Sequence, residues 1–205
     1  MKTTLLSSVV LLLTATLLSA RFASDGYQVG DVVQDFTLKN VDGKTVSLAD
    51  QKGVKGYIVA FTCNTCPVAK AYEDRIIALN EEFAPKGFPL IAIQSNDAGR
   101  SPGDSYPAMQ QRAKAKHYAF PYLHDDTQTV ARQFGATNTP HLFVLKREGN
   151  GYRVAYIGAV DNNQHDASAA TKHYVADAVN ELLAGKSVTT PSAKAIGCGI
   201  KWKSA

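Results

Sequence analysis

The sequence predicts an α/β fold: a mixed central sheet covered by helices on both faces, with an N-terminal β-hairpin. Three observations predict it. The runs GYIVAF (56–61) and FPLIAIQS (88–95) are apolar almost throughout and have strand length, as expected of strands buried on both faces. A segment of helical periodicity separates them. Two later strand-like runs flank a turn-forming stretch, and an amphipathic segment follows.

Each element has its own signal. DFTLKNVDGKTVSL (35–48) holds two short extended runs around Asp42-Gly43, a hairpin pattern. After GYIVAF, Val68, Tyr72, Ile76, Leu79 and Phe83 recur at helical spacing and form one apolar stripe. Lys70, Glu73, Glu81 and Glu82 are expected mostly off that stripe, and Pro85 and Gly87 end the helix. The turn-rich NDAGRSPGDSYPAMQ follows FPLIAIQS and leads into a helix reaching about His117. PYLHDDTQTVARQFGA is read as a short helix that Asp125-Asp126 favour at its N-terminus and Gly135 stops. HLFVL (141–145) and YRVAYIG (152–158) form a hairpin across KREGNG. DASAATKHYVADAVNELLAGK (166–186) is read as the last helix.

The chain divides into a signal peptide at 1–20, an α/β domain at 26–186 and an irregular tail at 187–205 that carries Cys198. Lys2 precedes an apolar run from Leu5 to Leu18, and Ser19-Ala20 follow. That run is 14 residues long, against roughly 20 needed to cross a bilayer. The expectation is export to the periplasm or another extracytoplasmic space. Leu18 fits a cleavage site poorly, so membrane contact is expected only if this segment stays attached. Net charge is +4, or +3 without Lys2, and no block of like charge occurs. Lysines and arginines scattered as in QQRAKAKHY describe a solvated face, not a nucleic-acid surface.

The chain has three cysteines, Cys63, Cys66 and Cys198, which cannot all pair within it. FTCNTCPVAK places Cys63 and Cys66 where a buried strand becomes a helix. Unpaired N–H groups and partial positive charge at a helix N-terminus stabilise a thiolate. A thiolate there can attack a disulfide, and a second sulfur one turn away can displace the product. Pro67 suits the first helical position, where no N–H is lost. The pair alone leaves disulfide exchange, peroxide reduction and metal capture open. The second marker is Thr139-Pro140 in TNTPHLFVL, directly before a buried strand, where a cis bond is expected.

In this order, Cys63-Asn64-Thr65-Cys66 and Thr139-Pro140 resemble the active-site motif and cis-proline loop of the thioredoxin fold. The likeness extends through CPVAKAYEDRIIALNEEFAPKGFPLIAIQSND, FPYLHDDTQTVARQFGATNTPHLFVL, YIGAVDN and AIGCGIKWK. These segments resemble peroxiredoxin-like, thioredoxin-domain proteins of the alkyl hydroperoxide reductase/thiol-specific antioxidant superfamily, over roughly residues 28–203. The resemblance implies a thioredoxin-like fold and a thiol–disulfide oxidoreductase with Cys63 as nucleophile and Cys66 as resolving thiol. Its expected partners are protein thiols and disulfides, with a reductant or oxidant protein. No cofactor and no metal are expected.

The alternative is a thiol peroxidase in which Cys66 attacks the peroxide. Peroxiredoxins usually place Pro seven and Thr three residues before that sulfur, where this chain has Val59 and Cys63. Disulfide exchange therefore ranks first. The pair Asn64-Thr65 replaces the Gly-Pro of thioredoxin, Thr62 replaces its Trp, and Asn138 stands where related sequences often carry a cysteine. A third reading is copper delivery by Cys63, Cys66 and His141, set against the usual spacing of three residues between such cysteines. His117, His124, His165 and His173 are scattered, with surface or helix-cap roles, and Asp161 is expected to hold a turn. Cys198 reads either as a buried small residue or as a third redox thiol, with Gly197 and Gly199 permitting close backbone approach.

Overall fold

The computed structural model describes residues 26–204. The predicted signal peptide at 1–20 lies outside the described residues. In chain order the elements are β1 (Val32–Val33), β2 (Thr37–Asn40), β3 (Thr45–Ser47), β4 (Gly56–Phe61) and α1 (Pro67–Phe83). Then come β5 (Leu90–Gln94), a short 3-10 turn (Pro102–Asp104), α2 (Tyr106–Ala115), β6 (Tyr122–His124) and α3 (Thr129–Phe134). The last are β7 (Asn138–Thr139), β8 (His141–Glu148), β9 (Gly151–Gly158), α4 (Tyr174–Leu183) and β10 (Cys198–Gly199).

Eight strands form one mixed sheet in the order β1-β9-β8-β4-β5-β6-β2-β3. At its centre β4 runs parallel to β5, with Ile58 opposite Leu90, and antiparallel to β8, with Phe61 opposite His141. Side-chain alternation along β4 divides the core between the two faces. Ile58 and Ala60 pack with Tyr72, Ile76, Leu79 and Phe83 of α1, and with residues of α2 and α4. Tyr57, Val59 and Phe61 pack on the other face with Val130, Ala131 and Phe134 of α3, and with Ile200 of the tail. Phe134 sits among the rings of Tyr27, Phe36, Phe61 and Phe143 at centroid distances of 5.0–6.0 Å, locking α3 to the sheet.

Five local expectations need correction. The segment 121–136 is not helix alone, because Tyr122–His124 forms β6, hydrogen-bonded to β5 and β2. β1, two residues without a sequence signal of their own, adds an unexpected strand that pairs Val32 with Arg153. The last helix starts at Tyr174, not Asp166. Side-chain carbonyls of Asn162, Asn163 and Asp166 accept the backbone N–H groups of residues 165, 166, 168, 171 and 172, which favours turns over helix. Glu73 is buried, not solvated: Arg112 donates to both its oxygens at 2.7 and 2.6 Å, and Tyr118 Oη donates at 2.6 Å. The tail is not wholly irregular, because β10 pairs antiparallel with β7. Asp125 does favour its helix, accepting from Val130 N and Ala131 N. Asp161 holds its turn through Asn163 N at 2.8 Å, and also an ion pair with Arg75 at 2.6 Å.

Candidate active site

The site lies where the central strand ends. β4 stops at Phe61, and Thr62 N continues the ladder to Ile93 O at 2.9 Å. The chain then turns through Cys63-Asn64-Thr65 and enters α1. Cys66 is the N-cap residue, extended at φ −68° and ψ 123°, and Pro67 opens the helix. The Cys66 sulfur takes the role a serine or aspartate oxygen usually fills, accepting from Ala69 N at 3.5 Å.

Asp104 shapes the loop between the cysteines. Its fully buried carboxylate accepts from Asn64 N at 2.7 Å, Thr65 N at 3.1 Å and Thr65 Oγ1 at 2.7 Å. Ser101 Oγ at 2.6 Å and Asn96 Nδ2 at 2.8 Å complete its shell. Asn64 is fixed from both ends of its amide, donating to Gly103 O at 2.9 Å and accepting from Tyr122 Oη at 3.0 Å.

The loop bearing Thr139-Pro140 faces the pair, and that peptide bond is cis. Thr139 Oγ1 lies 3.2 Å from Cys63 Sγ. Cys66 Sγ lies 3.2 Å from Thr139 O, to which it donates when protonated. On the remaining side β10 brings Cys198 N to 3.3 Å from Cys66 Sγ. All three cysteines are free thiols. Cys63 is 6% exposed and Cys66 3% exposed, so partner access is narrow.

These contacts separate the acidities of the two sulfurs. Cys66 is lowered to about 4 by its hydrogen bond with the Cys63 thiol, helped by the Cys198 thiol and by the N–H groups of Ala69 and Cys198, against the cost of burial. Cys63 is pushed far upward by the same hydrogen bond and then by burial, with the Asp104 carboxylate adding repulsion. The opposed shifts describe one proton shared by a pair that titrates as a unit. The anion rests on Cys66 because two peptide N–H groups point at it. Cys198 is raised to about 11, by burial first and by the neighbouring Cys66 anion second.

The structure thus brings Cys63, Cys66, Thr139, Pro140 and Cys198 together. It does not give His141 a ligand's place. The imidazole leans on the Phe143 ring, its Nδ1 accepts from Thr137 N at 3.4 Å, and burial lowers it to about 4. Among the described residues, no group of three His, Cys, Asp or Glu side chains is placed to hold a metal ion. No helix among them is long and apolar enough to cross a membrane. Sequence reasoning missed Asp104, Asn96, Ser101 and Tyr122. Their only signal was a lone acidic residue in a turn-rich segment.

The family model for AhpC/TSA matches residues 29–157, well over half of the chain. The chain belongs to the AhpC/TSA family. This AhpC/TSA protein is 28% identical over 152 residues to thiol-disulfide oxidoreductase ResA of Oceanobacillus iheyensis, covering 70% of this chain and 75% of that one. It is 31% identical over 121 residues to putative glutathione peroxidase 7 of Arabidopsis thaliana, covering 58% of this chain. The match spans about half, 49%, of that peroxidase. Among solved structures, a conserved protein of Geobacillus kaustophilus aligns with a TM-score of 0.81 at 34% identity, over 89% of this chain and 96% of that one. The exposed lipoprotein thioredoxin of Streptococcus pneumoniae aligns with a TM-score of 0.54 at 21% identity, covering 74% of this chain and 99% of that one. The fold is thioredoxin-like.

Proposed function

We propose that this protein is an exported thiol–disulfide oxidoreductase that exchanges disulfides with partner proteins through Cys63 and Cys66. One observation carries the reading: Cys66 Sγ caps α1, accepts two peptide N–H groups and packs beside Cys63. Backbone groups of three segments close around Cys66, whereas outside the pair Cys63 Sγ is hydrogen-bonded to one side chain, Thr139. Cys63 is therefore the sulfur that meets the partner. As it attacks, its proton passes along the shared hydrogen bond to Cys66. A mixed disulfide forms, and one partner sulfur leaves as a thiolate. Cys66 gives its proton to that leaving group and, again a thiolate, attacks Cys63 Sγ, expelling the second partner sulfur as a thiolate and closing Cys63–Cys66. Read backwards, the same steps oxidise a dithiol. The ResA relatives support this chemistry. The N-terminal segment supports export.

Reduction of a model protein disulfide, with dithiothreitol as donor, tests the assignment. Cys63→Ser abolishes turnover. Cys66→Ser accumulates a mixed disulfide on Cys63, visible by mass spectrometry. Full activity of Cys63→Ser would remove the reading.

The anion on Cys66 also favours a second reading, peroxide reduction at that sulfur, and peroxidases stand among the relatives. Stopped-flow mixing of the reduced protein with hydrogen peroxide separates the two. Oxidation no faster than that of free cysteine dismisses peroxidase activity.

A further inference from the structure

Cys198 is the thiol that the exchange scheme leaves unused. Its position is fixed by backbone pairing. The β10–β7 ladder sets Cys198 opposite Thr139 and Gly199 opposite Asn138. Gly197 approaches so closely that an added Cβ would lie 2.1 Å from Thr139 O. Ile200 N donates to Thr137 O at 3.0 Å. Beyond the strand, Lys201 N donates to Asn96 Oδ1 at 2.8 Å, and Gln128 Nε2 donates to Lys201 O at 2.9 Å. These ties hold the tail against the mouth of α1. There the Cys198 N–H reaches Cys66 Sγ at 3.3 Å, and the Cys198 side chain packs against the Cys63, Cys66 and Ala69 cluster. Cys66 thus shares one cluster with two other thiols, its neighbour Cys63 and one 132 positions away.

We propose that Cys198 is a third redox thiol that takes the disulfide over from Cys63, converting Cys63–Cys66 into Cys66–Cys198. The step rests on the exchange reading of Cys63 and Cys66. The Cys198 thiolate attacks Cys66 Sγ. The Cys66–Cys198 bond forms, and the Cys63–Cys66 bond breaks. The electron pair leaves on Cys63 Sγ, which takes up the proton Cys198 released. No oxidant or reductant is consumed. The timing follows from the local charge. In the reduced protein, burial and then the Cys66 anion keep Cys198 protonated, against a weaker pull from Lys201. Oxidation of Cys66 removes that anion, so Cys198 becomes a better nucleophile only after the pair has closed. The product keeps its disulfide under the tail and returns Cys63 as a thiol.

Tryptic mapping tests this directly. Cys63 and Cys66 share the peptide 56–70, whereas Cys198 lies in the peptide 195–201. The reduced full-length protein is oxidised with diamide, quenched in acid, alkylated and digested. The expected product is a disulfide joining 56–70 to 195–201 in wild type and in Cys63→Ser, lost in Cys66→Ser. Cys198→Ser, which forms no cross-link, serves as a second check by retaining the disulfide inside 56–70. A wild-type disulfide confined to 56–70, with Cys198 alkylated, overturns the relay and leaves the Cys63/Cys66 exchange standing. A cross-link that persists in Cys66→Ser also overturns it. Alkylation of all three cysteines after diamide overturns both readings.

Discussion

Asp104 is the residue on which the shape of the cysteine turn depends. Five donors converge on its carboxylate, two of them the N–H groups of Asn64 and Thr65. Replacing it with Ala leaves those buried donors without an acceptor. Asp104→Ala is expected to cost about 2–4 kcal/mol, measured by urea unfolding of the reduced protein. Asp104→Asn keeps one oxygen to accept from Asn64 N and Thr65 N and removes the charge, and with it one repulsion that holds the Cys63 proton. Its alkylation-versus-pH curve should show the Cys63 step moved to lower pH. An unchanged curve would assign Asp104 to scaffolding alone. The residue scale also shows what a sequence exposes and what it hides. Cys63, Cys66, Thr139 and Pro140 were legible because their signals are local: a C-x-x-C at a strand–helix boundary and a proline before a buried strand. Asp104 lies 40 positions from Asn64, and no local pattern marks it as the partner of that turn.

Among the elements, β4, α1, β5 and the β8–β9 hairpin were legible because each is long enough to show its period. β6 and β10 were not. Three residues and two residues carry no alternation, and each is a strand only through its neighbours in space. β10 matters most, since it carries one of the two peptide donors that hold the Cys66 anion. Gly197 permits it, because the strand passes too near Thr139 O for a Cβ. Gly197→Val should therefore lift the tail from β7 while the eight-stranded sheet stays intact. The Cys66 thiol, now at about 4, then rises toward the ordinary cysteine value, and Cys198 alkylates faster. Gly151→Ala is the control, since Gly151 has open space around its Cα and no positive φ. Equal thiol reactivity in the two variants would show that the tail does not govern Cys66.

At the scale of the molecule, the two cores clamp the sheet from opposite faces. At the end of β4 the sheet brings together three segments far apart in sequence: the cysteine turn, the Thr139-Pro140 loop and the tail. Ionisation at that junction is therefore linked to the stability of the whole fold. In the reduced protein Cys66 is depressed to about 4, below the about 8.5 of an unfolded chain. Between those values the unfolded chain binds a proton that the folded one does not, so stability rises with pH. It is complete above the unfolded value and is lost as pH falls through about 4. Cys63, shifted upward, acts oppositely: above its unfolded value the folded protein keeps a proton, and stability declines. His141, depressed to about 4 by burial, adds a second acid-side loss, because the unfolded imidazole takes up a proton below about 6.5. Oxidation of Cys66, into a disulfide with Cys63 or with Cys198, removes its contribution and leaves that of His141. The urea midpoint of the reduced protein should thus climb more steeply from about pH 5 to about pH 8 than that of the oxidised protein. Parallel slopes would mean that Cys66 is protonated at neutral pH, and the charge that the exchange chemistry requires would be missing.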